Sequence, residues 1–303
     1  MSATTLNRTR AALLAVLGYA LLIGFTDNFV RLVAEEVGLW QFHALRTAMA
    51  VVLFALGARL FGLQLAPKRW GPMIARSAIH AAAMLVYFGC LAFLTVAQTA
   101  AGLFTAPIFV LLFSRFLFGH ALGPVRIAAV ALGFVGVVLV LQPGSQSPLG
   151  WASLFPVVAG ALYALGNLAT REWCEGESAA SLTLGFFVAL GLAGLAGMGI
   201  LALWQPAVPE GAAGFILRGW VMPSGMVLFW TFVQALGSTL AVSLMVRAYQ
   251  LADASRVSVF EYVILPISAL WSWILWGQTI TLIAVLGMGL IVGAGAMIAL
   301  RNR

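Results

Sequence analysis

The sequence predicts an all-α polytopic membrane protein of ten transmembrane helices, built as two inverted five-helix repeats with both termini in the cytoplasm. Three observations predict it. Of the 303 residues, 63% are hydrophobic and 8% charged, against about 45–50% and about 25% in soluble domains. The apolar residues fall in runs of spanning length, about 20 residues each. Segments of the first half return in the second.

The runs, broken by charges or by Gly and Pro clusters, give spans at 11–30, 39–60, 73–95, 97–117, 124–141, 150–171, 181–203, 224–250, 255–276 and 279–300. Arg8 and Arg10 before the first run imitate a signal peptide. The run is too long and no small-residue cleavage site follows, so it reads as helix 1. Thr95 to Gln98 and Trp276 to Gln278 are the only breaks between helices 3 and 4 and between helices 9 and 10, so those turns are tight.

Basic residues set the direction, because Lys and Arg accumulate in cytoplasmic loops. With the N-terminus inside, the cytoplasmic set holds Arg8, Arg10, Arg59, Lys68, Arg69, Arg76, Arg115, Arg126, Arg171, Arg247, Arg256, Arg301 and Arg303, while the outer loops keep Arg31 and Arg218. Arg46 is left inside helix 2. The net charge of +7 is spread singly over these positions, which reads as loop charge and argues against a nucleic-acid partner. Cys90 and Cys174 lie far apart with no metal-ligand spacing and read as structural. No metal and no cofactor are expected.

The repeat is visible at two places. ALLIGFTDNFVR at the end of helix 1 lies over ALYALGNLATR at the end of helix 6 at an offset of 140, pairing Asp27 with Asn167 and Arg31 with Arg171. Helices 4 and 5 lie over helices 9 and 10 at an offset near 158, pairing Gly119 with Gly277 and nearly aligning Pro107 with Pro266. The halves are 1–145 and 146–303. An odd number of spans per half makes the second half enter from the opposite side, giving an inverted repeat. Such repeats place a solute site near the midplane and give alternating access by rocking around it.

Two stretches and the two-half layout now carry a resemblance: AYQLADASRVSVFEY at 248–262 and GFVGVVLVLQP at 133–143. Over essentially the whole chain they resemble the EamA-type drug/metabolite transporter superfamily, with YddG-type aromatic amino acid exporters the nearest subfamily. The resemblance implies a ten-helix secondary transporter in the inner membrane, exporting small polar metabolites, above all neutral or aromatic amino acids. It also implies that Phe104 to Pro107 and Tyr163 line the cavity. The family often carries an acidic residue after the glycine closing helix 4 or 9. Here His120 and Gln278 stand there, so no role of that carboxylate carries over.

Ionisable side chains inside spans are costly, from about 2.5 kcal/mol upward, and so mark buried pairs or pathways. They are Asp27, His43, Arg46, His80 and Glu261. Glu261 reads as a proton-coupling or substrate-amine site, or as a carboxylate paired with an Arg or capping broken backbone. Arg46, one turn from His43, reads as a substrate-carboxylate clamp, an internal ion pair or a snorkelling side chain, and Asp27 is the remaining charge site. His80 and Tyr87 share a face of helix 3, and Tyr163 and Asn167 share a face of helix 6. Together with Phe104 and Tyr262 they are the candidates for the substrate cavity. Pro107, Pro156 and Pro266 are the expected helix bends.

GLAGLAGMG at 191–199 and the Gly289–Gly293 spacing permit close helix contact, within the chain or in a dimer. One chain suffices for the pathway. No HExxH pair, GxSxG elbow, cysteine cluster, paired intramembrane aspartates or P-loop is present, which argues against an intramembrane enzyme and against ATP hydrolysis. Secondary transport remains, with proton exchange and facilitated diffusion both open, and with other metabolites or toxic cations as alternative solutes. A channel built by oligomerisation, or a scaffold, explains the duplication less well.

Overall fold

A computed structural model describes residues 3–94, 96–142, 150–277 and 280–300. They fold into thirteen α-helices: α1 (Ala3–Thr26), α2 (Val30–Glu36), α3 (Leu39–Phe61), α4 (Trp70–Cys90), α5 (Val96–Leu103), α6 (Ala106–Phe116), α7 (Pro124–Leu141), α8 (Leu154–Glu172), α9 (Ala179–Trp204), α10 (Gly225–Leu251), α11 (Ala254–Glu261), α12 (Ile264–Trp276) and α13 (Leu282–Leu300). No strand occurs among the described residues. Nine helical segments there are long and apolar enough to cross a membrane, and the segment Leu282–Ile298 falls short of that length. The protein is a multi-pass membrane protein. Of the two tight turns expected from the sequence, Thr95 and Gln278 lie outside the described residues.

Two expected single helices are broken. Helix 4 divides at Phe104–Thr105 into α5 and α6, and helix 9 divides at Tyr262–Val263 into α11 and α12. Proline explains both. Pro107 offers no N–H to the carbonyl of Leu103, and Pro266 offers none to that of Tyr262. The chain tightens instead, with Thr105 N donating to Gly102 O at 3.1 Å and Leu265 N to Tyr262 O at 3.1 Å. Helices α6 and α12 then end against Gly119 and Gly277, at φ 68° and 62°, a left-handed conformation that glycine adopts without steric cost.

The third expected bend is absent. Pro156 stands in the first turn of an unbroken α8, where the missing N–H has no intrahelical acceptor to leave unpaired. Helix 1 runs beyond its expected end through a 3₁₀ turn, Asp27–Phe29, into α2. Arg76, expected in a cytoplasmic loop, lies inside α4 and is 1% exposed.

Lipid tails offer little hydrophobic drive between helices, so close backbone packing has to hold them. Helix α1 packs on α10, α3 on α9, α4 on α8, and α7 on α13, with α5 and α6 against α8 and α12 against α1. At the α7–α13 crossing, a methyl group on Gly136 would sit 2.6 Å from the carbonyl of Gly287, and one on Gly287 would sit 2.7 Å from that of Gly136. Gly289 and Gly293 face open space and take no part in this contact. The 191–199 stripe lays Gly191, Gly194 and Gly197 against Thr47, Trp40 and Ala44 of α3.

Candidate functional site

The break in α5/α6, together with α1, α3, α4, α8, α9, α10 and α11, encloses a cavity of about 140 Å³. The expected candidates Asp27, Arg46, His80, Tyr87, Phe104, Pro107, Tyr163, Asn167 and Glu261 all border it. Tyr262, Pro156 and Pro266 do not. Tyr262 turns away because its ring fills the space over Gly133 of α7, where an added methyl would meet it at 2.5 Å, and it is 0% exposed. Its ring still touches Phe104 from behind, at 6.4 Å between centroids, so the two helix breaks meet across this pair.

Two polar groups stand on the cavity wall. In the first, Arg46 donates to Gln234 Oε1 at 3.2 Å, and Gln234 donates to Asp27 Oδ1 at 3.4 Å. His43 lies behind Arg46, with 3.3 Å from its Nδ1 to the guanidinium, and is 0% exposed. The rings of Phe42, Phe187 and Phe88 surround the guanidinium carbon at 5.1, 5.3 and 5.8 Å. Arg46 thus neither snorkels nor pairs directly with a carboxylate. Gln234 carries the link, and the aromatic faces share the charge.

The second group gathers on Glu261. Its carboxylate accepts hydrogen bonds from the Tyr249 hydroxyl and from Asn167 Nδ2 at 3.4 Å, and Tyr163 and Tyr19 line the cavity beside it. No basic side chain makes an ion pair with it among the described residues. The expectation of an arginine partner is therefore replaced by a phenol and an amide.

Arg76 and His80 stand one helical turn apart on α4. The Arg76 guanidinium donates to Thr170 Oγ1 and to the Leu182 carbonyl, each at 2.9 Å. It has no carboxylate partner among the described residues. The His80 ring lies on the α8 backbone at Gly166, where a methyl would meet Nδ1 at 2.3 Å, and packs 5.4 Å from Tyr163 and 6.1 Å from Phe186.

A second, polar cavity of about 870 Å³ continues along the same helices. On α6 the lining passes from Pro107 to Ser114, on α8 from Asn167 to Thr170, on α10 from Val246 to Arg247, and on α11 from Glu261 to Ser255. Arg8, Arg126, Arg171 and Arg247 all face this vestibule. Asp253 draws Arg126, Arg171 and Arg256 together at 2.9, 3.4 and 3.5 Å. His120 reaches Glu172 at 3.8 Å, and Gln278 lies outside the described residues. Cys90 and Cys174 are free and buried, and burial pushes the Cys174 thiol up. No metal-binding group of His, Cys, Asp and Glu occurs among the described residues.

The sequence reading missed Tyr19 and Tyr249 and misplaced Arg76. Arg76 carried the signal used for Arg46, a charge within an apolar run, at one turn from His80. Tyr19 and Tyr249 carried none, because a tyrosine in a span is ordinary until its neighbours are known.

Broken helices thus meet beside a mixed polar and aromatic cavity inside a bundle of apolar helices. The model of the family described as EamA-like transporter family matches residues 10–142, so that stretch of the chain is similar to the family. The riboflavin transporter of Rhizobium johnstonii is 31% identical over 205 residues, covering 68% of this chain and 62% of that protein. The riboflavin transporter of Brucella anthropi is 26% identical and covers 85% of both chains. A crystal structure of another protein superposes with a TM-score of 0.79 over 97% of this chain and 99% of that one, at 17% identity, a likeness of fold.

Proposed function

We propose that this protein is a secondary transporter that moves a flat, amphipathic aromatic solute, riboflavin first among candidates, by alternating access around the central cavity. The observation that carries the reading is the cavity itself. It lies beside the two proline-broken helices, with aromatic walls from Phe88, Phe104, Phe186 and Tyr163 and with charged groups set into them. Large rings supply apolar contact area to a planar solute, and the polar groups fix its orientation. The relatives named as riboflavin transporters support the choice of solute.

The two-half organisation, 1–145 and 146–303 with ten spans, remains part of this proposal. Its support is that the helix pairing keeps its pattern when each of the first five spans is exchanged for its counterpart: α1 on α10 becomes α8 on α4, and α5/α6 on α8 becomes α12 on α1. The helix breaks at Phe104 and Tyr262 stand at the same 158-residue offset as the closing glycines. We also propose that both termini lie in the cytoplasm of an inner-membrane protein, a reading that the vestibule shared by Arg8, Arg126, Arg171 and Arg247 supports. Outward movement of neutral or aromatic amino acids is the narrower reading that the YddG-type resemblance suggests, and it is tested beside riboflavin.

Proteoliposomes containing only this protein, loaded with riboflavin or with labelled amino acids, decide between them. Saturable riboflavin flux is the expected result. Tryptophan or phenylalanine flux without riboflavin flux would select the amino-acid reading. An imposed pH gradient separates proton exchange, in which Glu261 is the coupling candidate, from facilitated diffusion. Folded protein that moves neither class of solute overturns the reading.

A further inference from the structure

Two groups of opposite charge type, Arg76 and Glu261, face the central cavity without an ionic partner among the described residues. Arg76 on α4 is 1% exposed and is held by a hydroxyl and a carbonyl. Glu261 on α11 is 6% exposed and is held by Tyr249 and Asn167. The other two charges of the cavity, Asp27 and Arg46, are linked to each other through Gln234. A buried charge satisfied only by neutral dipoles is costly compared with one that meets its counter-charge. The cost is offset if a ligand brings the missing complement.

On the reading that the cavity carries a solute, we propose that Arg76 and Glu261 form a dipolar recognition pair that orients one aromatic solute. Arg76 takes an acceptor group, a carbonyl or a carboxylate, because a guanidinium offers only donors. Glu261 takes a donor group, a hydroxyl or an ammonium, because a carboxylate offers acceptors. The aromatic body lies between them, on the rings of Tyr163, Phe104 and Phe186. Riboflavin has this layout in its ring carbonyls and ribityl hydroxyls, and tryptophan has it in its carboxylate and ammonium. A solute carrying only one of the two groups leaves the other charge unanswered, so the pair selects against simple cations and simple anions alike.

Equilibrium binding to the purified protein in nanodiscs tests this separately from transport. Riboflavin is compared with lumichrome, which keeps the ring carbonyls and lacks the hydroxyl chain. Tryptophan is compared with tryptamine and indole-3-propionate. In the wild type the two-group compound of a recognised series is expected to bind about tenfold or more tightly than its one-group analogues, the value of one charged hydrogen bond. In Glu261→Gln the advantage over lumichrome or indole-3-propionate closes, while affinity for those two stays within about twofold. In Arg76→Gln the advantage over tryptamine closes in the same way.

The series that shows the effect identifies the source of the shared chemistry. Equal loss of one-group and two-group compounds in both variants would assign the residues a structural role and overturn the pair. So would a folded wild type that binds none of the five compounds. Discriminating binding with no flux in proteoliposomes would leave the pair standing and overturn the transport reading alone.

Discussion

Arg46 and Arg76 are both buried in spans, both border the same cavity, and differ in what surrounds them. Arg46 meets a carboxamide that leads to Asp27, a histidine and three aromatic faces. Arg76 meets a threonine hydroxyl and a helix carbonyl. The first is linked through Gln234 to the opposite charge of Asp27, although its buried Nε meets no hydrogen-bond acceptor among the described residues. The second is stabilised only by neutral dipoles. A charge linked to its opposite within the protein serves the fold, whereas an open charge at a cavity wall serves whatever enters the cavity.

The difference has its largest expected consequence in stability. Removing one member of a buried charged network leaves the others uncompensated, at about 3 kcal/mol or more, whereas replacing a buried charge that no counter-charge answers by an apolar chain of similar volume removes its desolvation cost and strands no opposite charge. Arg46→Met should therefore lower the thermal unfolding midpoint in detergent strongly, because it strands Gln234 and Asp27. Arg76→Met should leave it near the wild-type value or above. Equal losses for the two would erase the distinction and place both residues in the fold.

A second pair of variants sharpens the same contrast at lower cost. Gln234→Leu cuts the link between Asp27 and Arg46 while keeping the volume, and should cost about 2 kcal/mol, the value of hydrogen bonds to charged groups. Thr170→Val removes one of the two acceptors of Arg76 and should cost about 1 kcal/mol, since the Leu182 carbonyl remains. Double-mutant cycles of Arg46 with Gln234 and of Arg76 with Thr170 measure the two couplings, and the first should exceed the second.

Why one arginine was found in the sequence and the other was not follows from the same comparison. Arg46 stands in the middle of its apolar run, so its cost to the bilayer marks it at once. Arg76 stands near the start of a run flanked by Lys68 and Arg69, where loop assignment by charge absorbs it. The nine long apolar helices among the described residues and the offset between Pro107 and Pro266 were legible because a bilayer demands apolar length and proline removes a donor wherever it stands. The site of each break was not legible, since it depends on which neighbour accepts the bent chain. At Gly160 of α8 an added methyl would lie 2.7 Å from Thr105 Oγ1 and 2.9 Å from the Gly102 carbonyl, a contact that no local pattern announces. Tyr262 shows the same limit. Its place beside Glu261 suggested the cavity, and Gly133 on a different helix decided otherwise.

The vestibule supplies the weak end of the scale. Asp253 is 44% exposed in its side chain and is shared by Arg126, Arg171 and Arg256, which are 23%, 33% and 18% exposed. Exposed pairs of this kind contribute about 0–1 kcal/mol each, because water and salt screen them and long side chains lose freedom in holding one geometry. At 0.15 M ionic strength the screening length is about 8 Å. Asp253→Asn should therefore lower the unfolding midpoint slightly, by the equivalent of about 1 kcal/mol, and the difference from wild type should shrink as salt is raised. The Arg46→Met deficit should persist in the same salt series, because its partners are enclosed by Phe42, Phe88 and Phe187. If both deficits fell together with salt, the Arg46 network would be as accessible to ions as the vestibule, and the separation between an interior charge linked to its opposite and an open charge at the cavity wall would fail.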